Sequence, residues 1–206
     1  MPRPVMFMLA GPNGAGKSTL YETVLKPKLA ADVPFINADI IQRDELKDAS
    51  MGASYKAAEI AERRRRERLA EGRPFVSEST FSHESKLSLV REAKEAGFSV
   101  AMYHVNVRDA DLSVLRVATR TLEGGHNVPE DKIRERYARN QALIRQAVTE
   151  ADRAYVYDNS RLNEAPALAI RFKNGKVVYA SDPIPAWARD LYSKELESFA
   201  PSPRQR

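Results

Sequence analysis

The 206-residue chain contains no cysteine. Disulfides and thiolate-bound metals are therefore excluded, whatever the redox compartment. Long apolar runs are missing too. The N-terminal run, Val5 to Ala10, is too short for a signal-peptide core or a membrane span, so a soluble, cytoplasmic protein without membrane contact is expected. No internal repeat, low-complexity tract or linker divides the sequence. One α/β domain over residues 1–200 is expected, with a flexible Pro/Arg-rich tail at 201–206. The net charge of +5 is spread along the chain; it favours phosphorylated partners in general and does not single out nucleic acid.

Directly after the Val5 to Ala10 run stands Gly11-Pro12-Asn13-Gly14-Ala15-Gly16-Lys17-Ser18-Thr19. This matches the Walker A pattern, and the apolar run before it reads as a buried parallel strand. Glycine can adopt backbone angles closed to other residues, so successive N–H groups can converge on phosphate oxygens at a helix start. In such a loop Lys17 reaches the β- and γ-phosphates and Ser18 is the Mg2+ ligand, with Leu20, Val24 and Leu25 at helical spacing behind them. ATP and Mg2+ are the expected cofactors.

Five strand candidates alternate with helical segments: Val5 to Ala10, Phe35 to Asn37, Phe75 to Glu78, Phe98 to Val107 and Ala154 to Tyr157. That alternation predicts a three-layer fold around a mainly parallel five-stranded sheet. Helices are expected near Lys17 to Lys26, Ile40 to Leu46, Ser54 to Glu71, Ser85 to Ala96, Asp109 to Glu123 and Pro129 to Ala151. Asn174-Gly175 suits a type I′ turn, so 167–180 reads as a hairpin adding an antiparallel edge, followed by an amphipathic helix from Trp187 to Phe199. The run Arg63-Arg64-Arg65-Arg66 invites a nucleic-acid reading. Successive helical residues point about 100° apart, however, and Glu59, Glu62 and Glu67 stand four residues from arginines, so a solvated helix face is expected instead.

A phosphate loop serves many machines. An LSGGQ-type signature, an apolar strand ending in Asp-Glu and a guanine-reading Asn/Thr-Lys-x-Asp are all absent, which removes transporter motors and GTPases. The remaining landmarks suit phosphoryl transfer to a small hydroxyl acceptor, which needs positioning, cations and a base. In a parallel sheet those groups belong at the carboxyl ends of strands. Asp39 follows the second strand and Glu78 ends the third. Asp39 is alternatively a helix-terminal carboxylate, and Glu78 alternatively caps a turn. Arg116 and Arg120 lie one turn apart before Gly124-Gly125-His126-Asn127-Val128-Pro129, and Arg134, Arg136 and Arg139 follow. Two arginine-bearing helices around such a loop, at about 116–140, suit a closing lid, with Arg120 and Arg136 as the catalytic candidates and Arg116 as a nucleotide contact.

The order of Gly11 to Thr19, Asn37-Ala38-Asp39, Glu78-Ser79-Thr80, Gly125-His126-x-Val128-Pro129, Ile133-x-x-Arg136-Tyr137 and Tyr157-Asp158-Asn159-Ser160 resembles the zeta-toxin-like kinases, including a compact "predicted ABC-type ATPase" branch. It spans about Val5 to Ser160. The resemblance implies a nucleoside-monophosphate-kinase-like P-loop fold and ATP-dependent phosphorylation of a small hydroxyl acceptor. In zeta toxins that acceptor is the nucleotide sugar UDP-N-acetylglucosamine, and an antitoxin protein is the implied partner. By motif, Asp39 takes the place of the acceptor-side base, Glu78 that of the substrate-binding acid, and the lid arginines those of the phosphate clamp. The chain departs from the larger toxins in its short Asp44 to Ser54 stretch. A kinase of another small molecule or of a nucleic-acid end, and a non-catalytic ATP switch, are the alternatives.

Overall fold

A computed structural model describes residues 3–122 and 128–199. Seven strands, β1 Val5–Ala10, β2 Phe35–Ile36, β3 Phe75–Ser79, β4 Ser99–Asn106, β5 Arg153–Asp158, β6 Ala167–Lys173 and β7 Lys176–Ala180, form one sheet ordered β2-β3-β1-β4-β5-β6-β7. The first five run parallel and the last two antiparallel. The sheet therefore has seven strands rather than five, the hairpin at 167–180 supplying the antiparallel edge that its sequence suggests. The C-terminal hairpin pairs with the open edge of β5 and extends the same sheet, satisfying backbone groups that a bare edge would leave exposed. Its turn residues Asn174 and Gly175 have φ of 49° and 73°, as a type I′ turn demands.

Period-2 alternation sends the strands' side chains into two cores. Met6, Met8, Phe75, Phe98 and Met102 face α3 (Met51–Ala70), α4 (Ser85–Glu95) and α6 (Glu130–Glu150). Leu9, Val76, Tyr103 and Val105 face Leu20 and Leu25 on the opposite side. Helix α5 (Ala110–Leu122) packs against α6. Because β1 lies between β3 and β4, the connections diverge on either side of it and leave a crevice at its carboxyl end.

Several local expectations change on folding. The helix from Lys17 is α-helical only through Leu20 (α1), widens to a π-turn at Tyr21–Leu25 and tightens to a 3-10 turn at Lys26–Lys28. Thr23 bonds back to the Thr19 carbonyl, and Pro27 has no N–H to continue the ladder. The next helix opens earlier, at Ala38 (α2, Ala38–Ile40), and runs into a second π-turn, Ile41–Leu46. The arginine run is not uniformly solvated. The buried stripe Ala53, Ala57, Ala61 continues at the same spacing to Arg65, which is 5% exposed and donates to Glu62 at 2.7 Å. Lys86 lies 3.9 Å from Glu62, its pKa depressed by burial and by neighbouring Arg65. Finally, the C-terminal helix is two helices, α7 Ala186–Leu191 and α8 Ser193–Glu197. They break at Tyr192, which turns inward, fully buried, to meet Nδ1 of His104 at 2.7 Å. The expected lid loop Gly124-Gly125-His126-Asn127 and the tail from Pro201 lie outside the described residues.

Candidate active site

The phosphate loop leaves β1 at Gly11, where close approach leaves no room for a side chain: a Cβ there would stand 2.0 Å from the Val105 carbonyl oxygen. At Gly16 the backbone is left-handed (φ 89°), and a Cβ would meet Nδ2 of Asn159 at 2.2 Å. Glycine is the residue that both positions accept. Asn159 in turn donates to the Ala15 carbonyl at 2.9 Å and, through its backbone N–H, to the Asn106 carbonyl at 2.8 Å. The loop is thus braced from the carboxyl ends of β4 and β5. Asn13 keeps a buried side-chain oxygen with no hydrogen-bond partner.

Lys17 folds back across the loop, donating to the carbonyls of Gly11 at 3.0 Å and Pro12 at 3.1 Å, with Glu78 at 3.7 Å. Glu78 reaches it because β3 neighbours β1, with Leu9 opposite Glu78. On the other side of β3 the Ile36–Ser77 pairing brings Asn37 alongside, and Nδ2 of Asn37 donates to Glu78 at 2.9 Å. The Asn37 side-chain oxygen accepts the N–H groups of Asp39 (2.7 Å) and Ile40 (3.2 Å), capping α2. Lys17, Glu78, Asn37 and the start of α2 therefore form one continuous chain of polar contacts. Asp39 sits in the first turn of α2, exposed, and its carboxylate makes no hydrogen bond among the described residues. Ser18 and Thr19 are exposed on the first turn of α1.

The arginine candidates flank the other side. Arg116 is half-buried: its Cβ packs 3.2 Å from where a Gly14 side chain would begin, and its guanidinium donates to the Arg161 carbonyl at 3.1 Å. Burial lowers its pKa and the Asp158 carboxylate opposes that shift. Arg120 is exposed one turn further along α5. On α6, Arg134 is tied to Asp111 at 2.6 Å and Glu130 at 2.7 Å, and Arg139 to Glu135 at 3.2 Å. Arg136 is half-buried, with no hydrogen bond or ion pair among the described residues. The adjacent Tyr137 anchors α6 by donating to the Val107 carbonyl at 2.8 Å, its own pKa pushed up to about 12 by burial.

Sequence reasoning did not assign roles to Asn37, Asn159 or Asp158. Asn37 carried a signal, an N-cap residue just before a helix. Asp158 carried the same strand-end signal as Glu78. Asn159 belongs to the motif Tyr157-Asp158-Asn159-Ser160, but nothing local announces its partner, which is 144 residues away. A surface cavity of about 600 Å3 lined by Arg91, Lys94, Glu150 and Asn174 lies at the opposite, amino-terminal edge of the sheet. Arg91 there pairs with Glu150 at 2.7 Å, and the cavity takes no part in this site. Among the described residues no cluster of three or more His, Cys, Asp or Glu side chains gathers as a metal cage, and no helix is long and apolar enough to cross a membrane.

The zeta toxin family model matches residues 1–165. The chain belongs to the zeta toxin family. An uncharacterized protein of Haemophilus influenzae is 28% identical to this zeta-toxin chain over 128 residues, covering 62% of it and 88% of the relative. Among solved structures, the AvrRxo1-ORF1:-ORF2 complex with ATP superposes with a TM-score of 0.68 at 15% identity. That match covers 97% of this chain but 66% of the AvrRxo1 chain, just under two thirds of its length. The PezAT chromosomal toxin-antitoxin system of Streptococcus pneumoniae gives a TM-score of 0.61 at 17% identity, covering all of this chain and 82% of the other. At these identities the likeness is one of fold. The chain thus shares its fold with these structures and its family with the zeta toxins.

Proposed function

We propose that this zeta-toxin-family chain is an ATP-dependent phosphotransferase that moves the γ-phosphoryl group to a hydroxyl of a small acceptor. The observation that supports the reading is the contact chain from Lys17 through Glu78 and Asn37 to the α2 turn that carries Asp39, which joins the phosphate-loop cation to Glu78 and to the start of that helix. The fit to a nucleotide rests on the loop itself: two positions closed to any side chain, and a lysine resting on backbone carbonyls it can exchange for phosphate. In this reading Ser18 would hold Mg2+, which when bound would neutralise charge on the β- and γ-phosphates.

In this reading Lys17 binds the β/γ-phosphates. Asp39, exposed at the crevice edge, takes the acceptor proton as the hydroxyl oxygen attacks phosphorus and ADP departs. Glu78 orients the acceptor, Arg120 and Arg136 meet charge on the moving phosphoryl group, and Arg116 contacts the nucleotide. The family resemblance makes UDP-N-acetylglucosamine the first acceptor to test. The toxin-antitoxin system and the two-component complex among its structural relatives support a protein antitoxin as partner.

Purified protein incubated with labelled ATP and a panel of nucleotide sugars and metabolites tests this. Transfer to one acceptor, lost in Lys17→Ala and Asp39→Asn, is expected. ATP binding without transfer to any acceptor would favour a nucleotide switch instead.

A further inference from the structure

The connection from the end of β5 touches the phosphate loop at two points. Asn159 holds the Ala15 carbonyl and lies where a Gly16 side chain would be. Two residues on, the Arg161 carbonyl takes the guanidinium of Arg116, whose Cβ flanks Gly14. A displacement of this corner is therefore felt along the loop from Gly14 to Gly16.

The corner is itself held from a segment beyond the family-matched residues. Asp158 ends β5, and one of its carboxylate oxygens, Oδ1, accepts two donors: the Ser160 hydroxyl and, at 2.7 Å, the indole N–H of Trp187 on α7. The indole stands edge-on to buried His104 at 5.3 Å. Helix α7 is fixed in turn by the buried Tyr192, hydrogen-bonded to His104, and by the ion pair of Arg145 on α6 with Glu195 on α8 at 2.6 Å. Trp187 is the chain's single tryptophan. Simple packing of the C-terminal helices would be served by an indole turned either way; here its polar edge is spent on the carboxylate next to Asn159.

We propose that Trp187 is a positioning residue for the phosphate loop, acting through Asp158 and Asn159, so that the C-terminal helices set nucleotide affinity. The proposal rests on reading that loop as a nucleotide site. A bond to a carboxylate is among the stronger protein hydrogen bonds, and its loss leaves Asp158 held by the Ser160 hydroxyl alone while the phenyl ring of Trp187→Phe keeps the contact with His104.

The test measures binding of a fluorescent ADP analogue by anisotropy, with thermal unfolding in parallel. Trp187→Phe should weaken ADP binding about three- to tenfold, with turnover at saturating ATP changed less than affinity. In an Asn159→Ala background the same substitution should add nothing, because the link it acts through is already cut. If Trp187→Phe fails to fold, Ser160→Ala is read the same way, since it removes the other donor on Asp158 without touching α7. Affinity in these variants equal to the parent protein, while Lys17→Ala has lost binding, would overturn this proposal alone. Equal losses with and without Asn159 would overturn the route through the corner. A parent protein binding ADP no better than Lys17→Ala would strike the nucleotide reading and this proposal with it.

Discussion

The ammonium of Lys17 lies 3.7 Å from the Glu78 carboxylate, with the two side chains only 8% and 11% exposed. A buried pair of this kind is held by its surroundings as much as by its own attraction. Glu78 occupies the lysine that an incoming phosphate needs. Glu78→Gln keeps the shape and still accepts the Asn37 bond, but removes the competing charge. ATP affinity should rise at least about threefold, because phosphate no longer competes with a buried carboxylate for the lysine, while turnover falls. Calorimetric titration with ATP and an acceptor assay read the two effects separately. Weaker ATP binding would assign Glu78 to the nucleotide's metal instead.

Asn37 does two jobs, and Asn37→Ser separates them. Serine caps a helix about as well as asparagine but is too short to reach Glu78. Thermal stability should stay close to the parent value, whereas phosphoryl transfer should fall at least about tenfold, the cost of a misplaced group in a positioned site. Stability lost with activity retained would reduce Asn37 to a cap.

Asp39→Asn distinguishes a base from a helix-terminal charge. As base, the carboxylate should be worth ~10² to 10⁴ in transfer rate, with nucleotide binding unchanged because the phosphate loop is untouched. As a mere first-turn acid its loss should cost about 1 kcal/mol or less of stability and leave transfer intact. Acceptor phosphorylation and thermal unfolding, measured on this one variant, decide between them.

The arginines of α5 and α6 are separable by substitution. Arg134, tied to Asp111 and Glu130, should be replaceable by alanine with turnover intact. Arg120→Ala and Arg136→Ala should lower turnover more than ATP affinity. Arginines of this type reach ~10³ or more in rate. Steady-state and binding measurements on all three variants check the split; a loss confined to ATP affinity would make Arg120 and Arg136 ground-state binders.

His104 supplies a pH dependence. Complete burial pushes its pKa down to about 3, so the folded protein keeps it neutral while the unfolded chain takes up a proton below about pH 6.5. Its contribution to stability is therefore full above that pH and is lost as pH falls toward the folded value. His104→Asn cannot titrate and retains a partner for Tyr192. Between pH 7.5 and 5.5 it should lose about 1 kcal/mol less stability than the parent protein, as chemical denaturation at the two pH values will read.

Local pattern sufficed for part of this protein. The six-residue apolar run and the glycines after it announce a strand and a phosphate loop, because both depend on neighbours in sequence. Asn174-Gly175 announces its turn for the same reason, since left-handed backbone angles belong to those residue types. Asp39 and Glu78 were legible as strand-end acids. What periodicity does not carry is which strands become neighbours. Only the sheet order places β3 against β1 and β2, so that Glu78 meets Lys17 on one side and Asn37, 41 residues away in sequence, on the other. The same order lets β5 recruit the hairpin, giving seven strands, and sets Asn159 beneath Gly16. Arg65 reads as one more solvated arginine until the buried face of α3 claims it. The turn at Tyr192 and the bond from Trp187 to Asp158 depend on a hydroxyl and an indole finding partners 88 and 29 residues away. Strand, turn and cap follow from short-range sterics and hydrogen bonding; the pairing of distant polar groups follows from packing, which the chain settles only as a whole.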